Sequence, residues 1–244
     1  MITKIKSITH KLGLYAFARS IYRKINSTHR KEKLINKLFY KQLVSPGDLC
    51  FDIGSNVGQT IEALLEANAF VVAVEPNLNC IPVLRYQFKN NTNVKIIQKA
   101  IGAAPGFAEL NFNDTDSTAS IRKDWPFANK NSMRVEVTTL DSLIAEFGRP
   151  KFIKVDVEGF ELEVFKGLSQ AIPIIYFEMH GNEIQQAKLI LERLASVGKI
   201  IGINAVDSEN SAWLLNEWAE IDKFIEKIKS LAPIRANIVV KMKV

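Results

Sequence analysis

The chain has 244 residues, 47% hydrophobic and 24% charged, enough for a sizeable core in a single domain. Nine Lys/Arg and one acid fall in residues 1–33, against 23 basic and 25 acidic residues in the rest, so the formal charge of +6 belongs to the N-terminal segment and a nucleic-acid-binding body is disfavoured. No apolar run approaches the ~18–20 residues of a membrane-spanning helix, and the two cysteines, Cys50 and Cys80, form no CxxC pair, which argues against a disulfide framework or structural zinc and for a reducing compartment.

Residues 3–26 read as a basic amphipathic helix. Ile5, Ile8, Leu12 and Tyr15 form one stripe, and Leu14, Phe17, Ala18, Ile21 and Ile25 continue it on a shifted face. Lysines and arginines lie between them. No uninterrupted apolar core leads to a small-residue cleavage site, so a secretory signal is not expected. Such a helix either rests on an anionic membrane surface or a partner, or packs its stripe on the body. A second helix is expected over about residues 29–43. Ser45-Pro46-Gly47-Asp48 is a turn signal. It divides a helical segment, 1–45, from a core domain, 46–244.

The core domain alternates strand and helix. A buried strand, Leu49-Cys50-Phe51-Asp52, breaks at a turn carrying Gly54 and Gly58 and restarts as a helix with Ile61, Leu64 and Leu65 inward. A strand over 70–75 ends in Glu75-Pro76. A helix over 79–89 follows, then a strand over 94–98 and Ala100-Ile101-Gly102. The polar stretch 106–138 reads as weak strands at 108–113, 119–122 and 133–138 around a loop at 125–131, expected to line a substrate mouth. Thr139 caps a helix through Leu140, Leu143 and Ile144. Strands over 151–156, 173–178 and 199–204 alternate with helices through Leu162 and Phe165 and over 183–196. A long amphipathic helix through Leu214, Trp218, Ile221, Ile225 and Ile228 precedes a closing strand over 237–243. This rhythm predicts an α/β fold, a parallel sheet with helices on both faces.

The strand ends carry the chemistry. Asp52, Glu75, Asp156 and Glu178 each close a strand that reads as buried, and the carboxyl ends of parallel strands share one rim. One or two acids there could simply be solvated; four strain that explanation, because a buried acid without partners is costly. Such a rim suits hydroxyls and an ammonium group and suits a polyphosphate badly. Glu75, about twenty residues past the glycine turn, is placed to accept the ribose hydroxyls of an adenosine-type cofactor. NAD and S-adenosylmethionine both fit that description. A dinucleotide site wants GxGxxG; here Asp52 precedes Gly54 by two residues and Asn56 stands where a second glycine would be.

That arrangement resembles the first motif of class I S-adenosylmethionine-dependent methyltransferases. Asp52 to Gly58, Glu75-Pro76, Ala100-Ile101-Gly102, Ser117-Thr118, Thr139-Leu140-Asp141 and the block Lys154-Val155-Asp156-Val157-Glu158-Gly159-Phe160-Glu161 follow the order and spacing of the FkbM family of methyltransferases. Phe177-Glu178-Met179-His180 is similar to that family's end of strand five. The resemblance covers about residues 46–182. It implies a Rossmann-like sheet of seven mostly parallel strands, the last antiparallel, and methyl transfer to an oxygen. It further implies that Asp52, Gly54, Asn56 and Gly58 shape the pocket for the methionine part, that Glu75 with Pro76 holds the ribose, and that the segment Lys99-Ala100-Ile101 borders the adenine. Ser117 would flank the cofactor, and Asp156 and Glu158 would sit near the methyl group and acceptor.

An alcohol attacks well only as its proton is taken, so a base at the rim is expected. His180 is the first choice, with Asp156 or Glu158 as the alternative. A divalent ion held by Asp156 and Glu178 would serve the same end, although no diagnostic ligand cluster calls for a metal. The expected function is O-methylation of a hydroxyl on a sugar, glycolipid or secondary metabolite, in the cytoplasm, with peripheral membrane contact through residues 1–26. A non-catalytic binding module of the same fold, or a nicotinamide-dependent oxidoreductase, are the competing readings.

Overall fold

The computed structural model describes residues 27–112, 119–122, 131–179, 183–208, 210–231 and 236–244. The amphipathic segment 1–26, Ser117 and His180 lie outside these. The elements, in chain order, are α1 (Ser27–Tyr40), β1 (Leu49–Ile53), α2 (Gln59–Glu66), β2 (Phe70–Val74), α3 (Ile81–Phe88), β3 (Val94–Ile97), β4 (Ala100–Ile101), β5 (Gly106–Phe112), β6 (Asn131–Thr138), α4 (Leu140–Phe147), β7 (Phe152–Val155), α5 (Glu161–Lys166), β8 (Ile174–Met179), α6 (Ile184–Val197), β9 (Ile200–Asp207), α7 (Ile221–Leu231) and β10 (Ala236–Met242).

Seven strands form the main sheet in the order β3-β2-β1-β7-β8-β10-β9. The pairs β3–β2, β2–β1, β1–β7 and β7–β8 are parallel, and β10 runs antiparallel to both its neighbours. This is the predicted Rossmann-like sheet with its last strand reversed. A change of winding direction falls between β1 and β7, which is where doubly wound sheets open a crevice for ligands.

The strands are buried on both faces, so their side chains split by alternation. Phe51, Ile53, Ile153 and Val155 pack against α4, α5, α6 and α7. Cys50, Ala73, Phe152 and Tyr176 face α1, α2 and α3. Phe39 and Tyr40 at the end of α1 are buried there, and Tyr40 meets Phe152 edge-on at 5.8 Å. Both cysteines are buried and neither is in a disulfide. No helix among the described residues is long and apolar enough to cross a membrane.

Two expectations need correction. The segment 119–122 is not a strand; it contributes one bridge, Ser120 to Asn111, beside the small sheet β4-β6-β5. The long helix through Leu214 and Trp218 is also shorter than its spacing suggests, for α7 begins only at Ile221. Residues 212–219 instead run along the edge strand β9. Val206 bridges Trp213, Ile203 bridges Ala219, and the Asn204 side chain exchanges two hydrogen bonds with the Leu215 backbone. Trp213 stacks between Phe39 and Trp218, at 5.4 and 5.3 Å. Covering an otherwise open sheet edge outweighs helix propensity here.

Candidate active site

The glycine turn after β1 is shaped by its neighbours. Gly54 has φ 81, and a Cβ there would lie 1.8 Å from the backbone oxygen of Asp156. Close approach of the β7 loop therefore demands glycine at this point. Gly54→Ala is expected to destabilise the fold by more than about 3 kcal/mol, read as a lowered urea midpoint. The N–H groups of Gly54 and Ser55 both donate to the Val74 carbonyl, at 2.9 and 3.1 Å, and tie the turn to the end of β2. Gly58, also predicted to shape the pocket, lies off its wall. It is the left-handed N-cap of α2, where a Cβ would meet the Phe88 ring at 2.6 Å. Its part is to let α3 pack close to the turn.

Beside this turn Glu75 is held from two sides. Its Oε2 accepts the Asn56 N–H at 2.8 Å and its Oε1 accepts the Asn77 N–H at 2.8 Å. Asn56 reaches it from the left-handed region, at φ 48. The carboxyl is 6% exposed, and burial raises its pKa to about 7 against those two donors. Both oxygens are thus aimed, and each keeps acceptor capacity for a ligand hydroxyl.

Glu75 forms part of the wall of a cavity of about 230 Å³. Gly54, Asn56 and Thr60 flank it on the β1 side, and Pro76, Lys99, Ala100 and Ile101 on the β2–β4 side. Leu110, Ser120 and Ile121 come from the small sheet and its neighbouring segment, and Lys154, Asp156, Glu158 and Phe160 from the end of β7. The structure therefore brings together Gly54, Asn56, Glu75, Pro76, Ala100, Ile101, Asp156 and Glu158 of the residues expected at the site.

Asp52 is a different case. Expected on the pocket wall, it is wholly buried beneath it, and neither carboxylate oxygen has a hydrogen-bond partner. Sheet register sets Ala73, Asp52, Lys154 and Tyr176 in one row across β2, β1, β7 and β8, on the face covered by α1 and α2. Burial raises Asp52 to about 6, opposed chiefly by the nearby Lys154. Lys154 itself donates to Asp156 Oδ2 at 2.7 Å. Although buried, it is held well above its ordinary pKa by Asp156 and Asp52, so it stays cationic. A lysine inside the apolar run Phe152-Ile153-Lys154-Val155 was the signal of a functional position, and sequence reasoning gave it no role.

The third acidic group closes the outer end. One carboxylate oxygen each of Asp156, Glu158 and Glu178 lie within 4.8 Å of one another. Burial, and then the negative charge and hydrogen bond of Asp156, push Glu178 up to about 10. Of this coupled pair Glu178 is the member pushed toward its protonated form, while the bonded ammonium of Lys154 lies on Asp156. Three such carboxylates are also a set that could take a divalent cation through oxygen ligands. Nearby, Arg122 Nη1 pairs with Glu183 Oε1 at 2.8 Å and fastens the segment 119–122 to the start of α6.

The donor set decides which ligand fits. Carboxylates at Glu75, Asp156 and Glu158 face apolar walls at Ile101, Leu110 and Phe160. Below them Asp52 lies buried without a hydrogen bond to its carboxylate, its charge offset by the nearby Lys154. A ribose, a flat base and a cationic amino-acid tail match these features, whereas a pyrophosphate would meet acids. S-adenosylmethionine has those parts.

A doubly wound sheet with an acid-lined crevice at the carboxyl ends of β1, β2 and β7 defines a nucleoside-cofactor-binding domain. The chain belongs to the methyltransferase FkbM domain family, whose model matches residues 52–228. It is 29% identical over 140 residues to hexuronic acid methyltransferase AglP of Haloferax volcanii, a match covering 55% of this chain and 57% of that protein. The chain thus spans less than two thirds of that relative. Among solved structures, a TehB-like SAM-dependent methyltransferase from Corynebacterium glutamicum aligns with a TM-score of 0.47 at 10% identity, over 86% of this chain and 88% of that one. A precorrin-6y C5,15-methyltransferase from Geobacter metallireducens aligns with a TM-score of 0.45 at 12% identity, over 87% of each.

Proposed function

We propose that the protein is an S-adenosylmethionine-dependent O-methyltransferase that acts on a hydroxyl of a sugar or sugar conjugate. The observation that carries this reading is Glu75, presented with both oxygens aimed, in the same cavity as Asp156 and Glu158. Glu75 would hold the ribose hydroxyls, Ala100 and Ile101 would border the base, and Gly54 and Asn56 would flank the methionine part. The bound cofactor would supply an electrophilic methyl group on a sulfonium.

The remaining chemistry falls to the chain. Its first task is alignment of the acceptor oxygen, which the rigid ends of β1 and β7 perform. Its second is removal of the hydroxyl proton as the oxygen attacks. Asp156, paired with the Lys154 ammonium, is suited to accept that proton; Glu158 lies beside it, and His180 is a further candidate. Glu178, pushed toward its protonated form by burial and by Asp156, would hydrogen-bond without competing for it. The sugar acceptor is supported by the hexuronic acid named for the relative and by a rim of carboxylates that suits hydroxyls. Buried cysteines outside any disulfide fit the cytoplasm, and residues 1–26 would give peripheral contact with an anionic membrane.

The test is transfer from methyl-labelled S-adenosylmethionine to a panel of free hexuronates, neutral hexoses and lipid-linked glycans. Label in an alkali-stable ether is the expected result. Label lost in mild alkali would mean a methyl ester, and the hydroxyl assignment would be wrong.

A further inference from the structure

We propose that Glu161 is a positioning residue of this site, its buried carboxylate holding the loop 156–159 in the shape that presents Asp156 and Glu158. The inference rests on the pocket reading above and deepens it.

The loop has an awkward task. Between the end of β7 at Val155 and the start of α5 at Glu161 it must turn two carboxylates toward one cavity. It does so with Glu158 at φ 55 and Gly159 at φ 88. A non-glycine residue in the left-handed region persists only where its surroundings hold it. Glu161 is 1% exposed and does not line the cavity. Its Oε1 accepts the N–H of Val157 at 3.1 Å and that of Gly159 at 3.2 Å. Val157 and Gly159 stand on either side of Glu158, so one oxygen holds the chain before and after the strained residue. The carbonyls of the same loop are taken by other elements. Gln186 Nε2 donates to the Gly159 carbonyl at 3.1 Å, and Ser120 Oγ to the Glu158 carbonyl at 2.8 Å. Glu161 is thus the acceptor for two of the loop's amides, and it holds them from a buried site that raises its pKa to about 7.

A helix cap alone would stabilise α5 without regard to the cavity. Positioning makes a different demand: cofactor affinity must follow the loop. The full chain is compared as wild type, Glu161→Ala and Glu161→Gln. Calorimetry with S-adenosylhomocysteine is run well below each melting temperature, and residue-resolved amide exchange is followed at Val157 and Gly159. Glu161→Ala is expected to bind S-adenosylhomocysteine about tenfold or more weakly, with fast exchange at both amides and unchanged exchange in β1 and β2. Glu161→Gln keeps an oxygen acceptor and is expected to bind within about threefold of wild type, with intermediate exchange. A folded Glu161→Ala that binds as wild type does, or a loss that Glu161→Gln fails to recover, overturns the proposal. If Glu161→Ala does not fold, exchange in Glu161→Gln decides: faster exchange at Val157 and Gly159 supports the clamp, and wild-type rates refute it. Failure of wild type itself to bind S-adenosylhomocysteine would reject the cofactor reading instead, and the exchange arm would still report on the loop.

Discussion

Alanine in place of Glu75 is expected to weaken S-adenosylhomocysteine binding about a hundredfold, roughly 3 kcal/mol. Two losses combine. In the proposed pose the ribose hydroxyls would lose their acceptor, and the N–H groups of Asn56 and Asn77 lose the carboxyl that fixes their loops. Calorimetry measures the effect directly, and an affinity within about threefold of wild type would remove the ribose assignment. Glutamine at the same position separates charge from shape. The carboxyl stands near pH 7 in the folded protein against an ordinary value of 4.5. A raised folded pKa means that the folded state binds this proton more tightly. The stability it contributes is complete below about pH 4.5 and is lost as pH rises through about 7. Glu75→Gln lacks that dependence. Urea unfolding of the ligand-free proteins at pH 5 and pH 8 should therefore show wild type losing stability relative to the variant at the higher pH.

Asn in place of Asp156 is expected to lower turnover by about 10²- to 10⁴-fold, the range of a lost general base. Cofactor affinity should change much less, because Asn keeps the shape of Asp156 and leaves Glu75 and the backbone of the loop 156–159 in place. The side effect to watch is Lys154, whose ammonium loses its bonded carboxylate and keeps only the more distant Asp52. A binding measurement beside the kinetic one separates the two. Retained turnover would transfer the proton-accepting role to His180 or Glu158. A parallel loss of affinity and turnover would make Asp156 a cofactor-binding residue first.

Much of the fold was legible because its strands are apolar on both faces and are punctuated by glycine, proline and capping residues. The run Phe70 to Val74 and the Thr139 cap are of this kind; Thr139 Oγ1 accepts the Ser142 N–H at 3.1 Å as a cap should. The acids were legible as strand terminators, yet the face each one takes was not. Reading β1 as ending at Asp52 puts that carboxylate on the rim. The strand in fact runs one residue further, to Ile53, and Asp52 stays inside the sheet on the α1–α2 face. A difference of one residue decides the side in a structure of period two. Residues 212–219 misled for another reason. Leu214 and Trp218 have helical spacing, and what overrides it is contact with β9 and with Phe39, which are distant in the chain. Glu161, the last residue of the Lys154 to Glu161 block, had no role assigned because its partners are backbone amides, which no residue pattern records.

The place of β10 has a consequence for how the molecule assembles. β8 and β9 run the same way but are not neighbours; β10, formed after both, slots between them and bonds to each along its length. Until it arrives, β9 has no partner in the main sheet and β8 keeps one open side. Each then shows unpaired backbone N–H and C=O groups along an open edge, the kind of surface that recruits other chains. Sheet closure therefore waits on a contact between segments far apart in sequence, a slow class of folding event. Refolding yield should fall with protein concentration more steeply than final stability would suggest, and the vulnerable species is the one in which the first five parallel strands are already paired.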